Sequence, residues 1–234
     1  MERLTWRDLA SPGTFLASGV TAGFVCGVLI GGVGGRLAMF ALRVTSDPAL
    51  RGVLTDDGFT IGRFSAETLF LLGVTAGLGI LGGLFYLIVR GWIPTRWRVA
   101  VMTVATGGSL LSTDGLDFNR LSPLSLAVAM FLAIPVAYGA AMPWLTERLL
   151  RQSSVLHRRP RAWLVGLAPL VLANVVGVAI ATMALLILWI GRSNPNLVAA
   201  WRSPLTAWIG RAGLVVAAVA GGTQLVRDSI EILS

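Results

Sequence analysis

Lysine is absent from this chain, cysteine and histidine occur once each, and only 13% of its 234 residues are charged. Each shortage closes a class of function. Without lysine there is no Schiff-base chemistry, including retinal binding. With Cys26 alone no disulfide forms within the chain and no C-x-x-C redox pair exists. With His157 alone, two-histidine haem ligation is impossible. No H-E-x-x-H or cysteine cluster for zinc, no phosphate-cradling P-loop and no G-x-S-x-G elbow occurs. A soluble domain carries about a quarter charged residues, so the charge deficit also argues against a water-exposed fold.

What fills the chain is hydrocarbon. Residues of the AVILMFWYC set make up 55%, and the 28 glycines bring the apolar share to about two thirds, against about 45–50% for soluble domains on the same count. The mean hydropathy is +0.78. The formal charge of +8 comes from arginine alone. In a soluble protein this would suggest nucleic acid, but here the arginines flank apolar runs, where orientation and lipid head groups account for them. Membrane lipids are therefore the expected contacts, and nucleic acid is not an expected partner.

A hydrocarbon core of about 30 Å needs about 20 apolar residues in a helix. Six runs are candidates, near residues 14–42, 67–89, 99–113, 122–145, 162–190 and 204–226. The pattern predicts an all-α, polytopic transmembrane helical bundle, a single domain over residues 1–234. The first run continues past Arg36 and reads as a retained helix rather than a cleaved signal. The third is short and its second half, Thr106–Thr113, is polar for lipid, so it reads as a full crossing or a re-entrant half-helix. With six crossings, Arg3, Arg7, Arg90, Arg96, Arg98, Arg148, Arg151, Arg158, Arg159, Arg161 and Arg227 share one side. Arg43, Arg51, Arg63, Arg120, Arg192 and Arg202 take the other. The positive-inside rule then places both termini in the cytoplasm. On this reading Trp92 lies at a cytoplasmic edge and Trp201 and Trp208 at an outer one. The expected address is the cytoplasmic (inner) membrane of a bacterium.

Gly19, Gly23, Gly27, Gly31 and Gly35 recur every fourth residue in the first run, with weaker versions at Thr75, Gly79 and Gly83 and at Gly213, Ala217 and Gly221. Such stripes let membrane helices approach backbone to backbone. They serve packing within the bundle, a homo-oligomer seam, or a groove for another subunit of a membrane complex.

Ionisable groups at membrane depth are costly and mark functional candidates. Arg36 either snorkels to the head groups or faces the bundle and binds an anion or a carboxylate. Its candidate partners lie in two outer loops carrying Asp56, Asp57 and Arg63 in one, and Asp114, Asp117, Asn119 and Arg120 in the other. Those loops form either a gate or ligand site, or a set of salt bridges and Asx turns. Arg211, early in the sixth run, is expected to snorkel. Arg148, Arg151, Arg158, Arg159 and Arg161 form a basic loop expected to meet lipid head groups. No catalytic residue, metal ligand or cofactor is assigned.

The strings Gly34-Gly35-Arg36-Leu37, Leu54-Thr55-Asp56-Asp57-Gly58-Phe59 and Asp114-Gly115-Leu116-Asp117-Phe118 resemble segments of polytopic membrane proteins from GC-rich actinobacteria and their relatives. The resemblance spans about residues 30–145 and implies a cytoplasmic-membrane address without an activity. The residues themselves leave two readings: a small transport or ligand-binding bundle using the outer Asp/Arg cluster, or a non-catalytic accessory subunit packing through the first glycine stripe. An enzyme acting on a lipid head group comes third.

Overall fold

The computed structural model describes residues 12–45, 66–109, 124–158, 162–172, 194–201 and 203–233. Among them every regular element is helical. α1 (Pro12–Cys26) runs through a π-helical stretch, Gly27–Gly34, into α2 (Gly35–Thr45). α3 is Ala66–Val89, and a 3₁₀ turn at Thr95–Trp97 leads into α4 (Arg98–Ser109). α5 is Leu124–Leu149, α6 Val155–Arg158, α7 Ala162–Leu172, α8 Pro195–Trp201 and α9 Pro204–Leu233.

Four described segments are long and apolar enough to cross a membrane: Gly13–Leu42, Leu69–Val89, Val128–Leu149 and Pro204–Gln224. The chain is an integral membrane helical bundle. These four segments fall on the first, second, fourth and sixth expected runs. α4 covers residues 99–109 of the third. The rest of that run, and residues 173–190 of the fifth, lie outside the described residues.

The bundle centres on α1 and α3, which run antiparallel. A side chain at Gly23 would strike the Gly79 carbonyl, one at Gly83 would strike the Gly19 carbonyl, and one at Gly27 would strike the Thr75 carbonyl. Membrane helices lack a hydrophobic drive toward one another, so the dispersion gained by such contact is a main source of cohesion. Within the π-helical stretch both Gly31 and Gly32 meet Thr75, and Gly32 also meets Leu72. A side-chain Cβ at Gly35 would meet nothing within 4 Å. The stripe along α1 is thus occupied by α3 of the same chain up to Gly32.

α5 closes the other side. Tyr138 donates its hydroxyl to the Gly79 carbonyl at 2.8 Å. Thr106 of α4 lies 3.0 Å from the Pro135 carbonyl. That hydroxyl links α4 to α5 at a backbone carbonyl, the kind of polar contact that joins membrane helices. Buried hydroxyls elsewhere serve their own helices: Ser18 donates to Thr14 O and Thr146 to Met142 O, each at 2.8 Å. The core between α1, α3, α4 and α5 is filled by Cys26, Tyr86, Val89, Met102, Tyr138 and Met142.

The start of α9 packs against the turn that follows α3. Trp92, just after α3, lies with its ring centroid 4.6 Å from that of Trp201. Gly210 packs on the Trp92 ring. Arg211 donates from Nε to the Trp92 carbonyl at 2.6 Å rather than reaching away from the bundle. The ring contact holds Trp92 and Trp201 at one end of the bundle. That end also carries Phe15, beneath the Arg90 guanidinium, and Trp163, against Gly13.

Candidate functional site

Of the residues singled out from the sequence, Arg36 is the one within the described spans whose setting is unusual. Gly35, Ala38 and Leu42 form the buried strip of α2, while Leu37, Phe40 and Val44 are each more than half exposed, as lipid-facing residues are. Arg36 borders the buried strip, and its Nε and Nη2 atoms are buried. It therefore turns toward the protein instead of lying along the lipid-facing side. The turn before it is π-helical, with the Gly35 N–H directed to both Gly31 O and Gly32 O. Such bulges recur at functional positions in membrane and soluble helices.

Asp56, Asp57, Asp114, Asp117, Asn119 and Arg120 lie outside the described residues, as do Arg159 and Arg161. Arg148, Arg151 and Arg158 are exposed around the end of α5 and α6. Among the described residues no group of three His, Cys, Asp or Glu side chains comes together.

A second polar constellation, not singled out by the sequence reading, lies at the opposite end of the bundle. Glu147 sits in the last turn of α5, where the helix dipole disfavours a negative charge. It is held there by groups from two other helices. Arg90, following α3, forms a two-pronged pair, Nε to Oε1 and Nη2 to Oε2, both at 3.0 Å. Arg98, opening α4, donates Nη1 to Oε1 at 2.9 Å, and Tyr86 adds its hydroxyl at 2.8 Å. Arg98 also donates Nε to Ile93 O at 3.2 Å, which fixes the α3–α4 turn. The side chains of Arg90, Arg98 and Glu147 are each a quarter exposed or less, so solvent screening is limited and the pairing is firmer than on an open surface.

The sequence does contain a signal for this cluster. Glu147 is the sole acidic residue between Asp117 and Asp228. It stands at the end of an apolar run and beside several arginines. Two guanidinia against one carboxylate leave one positive charge over.

Nearby, the Arg96 guanidinium lies 5.9 Å from the Trp97 ring and that of Arg148 lies 5.3 Å from the Trp144 ring, within the range of cation–π attraction. His157 contacts the Ser154 hydroxyl at 2.9 Å. Ser154 in turn donates to Leu149 O at 2.6 Å, which ties α6 to the end of α5.

No family model matches the chain, and neither a curated protein nor a solved structure matches it.

Proposed function

We propose that this protein is a small binding or transport unit for an anionic solute in a bacterial cytoplasmic membrane, with Arg36 as its charged element. The observation that carries this reading is the burial of the Arg36 Nε and Nη2 atoms immediately after the π-helical Gly27–Gly34. A guanidinium inside an apolar span costs several kcal/mol by most scales. Irregular backbone at membrane depth is tolerated where it lies in protein or lines a cavity. The outer Asp/Arg loops, with Asp56, Asp57, Asp114, Asp117, Asn119 and Arg120, act in this reading as the entry site above Arg36.

The test is flux in proteoliposomes against a panel of small anions. Arg36→Gln is expected to reduce uptake at least tenfold, and Arg36→Lys, which keeps the charge, to retain part of it. Asp117→Asn is expected to change uptake without changing the melting temperature. Uptake within twofold of wild type for a folded Arg36→Gln protein would remove the reading.

A second reading, an accessory subunit of a larger membrane complex, has its own support. α9 leaves Leu205, Trp208, Ile209, Val215, Val216 and Val219 exposed, and Gly213 has nothing within 4 Å. The first glycine stripe does not support it, because a partner there would have to displace α3. Recovery of a hetero-complex from mild extraction, lost in Gly213→Leu, favours this reading over transport.

A further inference from the structure

The Glu147 end of the bundle combines excess positive charge with exposed indoles. The segments 90–98 and 147–158 hold Arg90, Arg96, Arg98, Arg148, Arg151 and Arg158 against the single carboxylate of Glu147. That carboxylate is already committed to Arg90 and Arg98. Trp97 and Trp144 are 52% and 55% exposed, and each carries an arginine over its ring. Indoles settle at the interfacial level of a bilayer. A guanidinium stacked on such an indole is thereby held at head-group depth, where its fork of donors matches phosphate oxygens.

Glu147 also joins the two segments, since it pairs with the start of α4 from the end of α5. We infer that the Arg96–Trp97 and Arg148–Trp144 pairs, bordering the net-positive Arg90–Glu147–Arg98 cluster, form a binding site for the phosphate of an anionic phospholipid. This assignment is independent of the role given to Arg36. It makes the Glu147 end the one that faces the anionic leaflet.

The experiment is native mass spectrometry of the full chain from bilayers of phosphatidylglycerol and phosphatidylcholine in equal parts. Wild type is expected to retain phosphatidylglycerol preferentially. The Arg96→Gln/Arg148→Gln variant should lose that preference about tenfold or more, given the attraction of each basic residue to an anionic surface. Arg96→Lys/Arg148→Lys should keep part of it. Thermal unfolding of each variant verifies the fold.

The Arg151→Gln/Arg158→Gln variant removes the same charge from elsewhere on this end. An equal loss there means diffuse attraction and overturns the site. Equal retention of both lipids by wild type also overturns it. Displacement of the lipid by millimolar inorganic phosphate would assign the site to a free anion and overturn the lipid assignment.

Discussion

Tyr138 reaches from α5 to the carbonyl of Gly79 on α3, and Gly82 makes the approach feasible, since a side chain there would strike the Tyr138 hydroxyl. One hydroxyl thus ties two membrane helices at a buried position. Tyr138→Phe is expected to destabilise the bundle by about 0.6–1.7 kcal/mol, the range for hydrogen bonds between membrane helices. Gly82→Ala removes the same bond by displacing the ring tip. In a double-mutant cycle read by unfolding in bilayer-like detergent, the double variant should lose less than the sum of the two single losses.

Glu147→Gln leaves Arg90 and Arg98 together without a counter-charge. The expected loss is about 2–3 kcal/mol, between the small cost of exposed pairs and the 3–5 kcal/mol of fully buried ones. Adding Arg98→Gln to Glu147→Gln should recover part of it, because one uncompensated charge goes with it. A double variant no more stable than the single would show that the pairing with Arg98 contributes nothing.

The glycines of the first span divide by what faces them. Gly23→Ala drives a methyl into the Gly79 carbonyl, and because the obstacle is backbone, α1 and α3 must separate. A drop of several degrees in melting temperature is expected. Gly35→Ala meets nothing, and alanine favours helix by up to about 1 kcal/mol over glycine. It should be neutral or stabilising. Equal destabilisation by both would contradict the packing.

Trp92 and Trp201 in ring contact require Gly91 and Ala200 to be reached from one side of the membrane. In a Cys26→Ser background, Gly91→Cys and Ala200→Cys should react with the same impermeant thiol reagent added to one side of sealed vesicles. Labelling from opposite sides would contradict the ring contact and agree with six crossings.

Four apolar runs were legible in the sequence because bilayer thickness sets a length that composition alone can meet. The period of four at Gly19–Gly35 and at Thr75, Gly79 and Gly83 was legible as well. That these two stripes oppose each other is a matter of helix direction and phase, which no local pattern contains. The Glu147 cluster escaped because arginines near span ends were read for orientation. That reading sums charges over a loop and does not ask which carboxylate one guanidinium meets. The Trp92–Trp201 contact escaped because a pairing of indoles 109 residues apart leaves no local pattern in the sequence. At Arg36 the sequence offered both a lipid-facing and a protein-facing orientation. The choice depends on the phase of α2, which the π-helical stretch sets.

That stretch has a consequence for the only charged residue between Gly13 and Leu42. A π-helical turn closes i to i+5 instead of i to i+4, so it takes up one more residue than the turns on either side. Letting the segment close as ordinary helix with that extra residue kept would rotate everything after it by about 100°, and deleting one residue at the same time would undo the rotation. The direction of Arg36 is therefore stored as a residue count, one turn upstream of the charge itself.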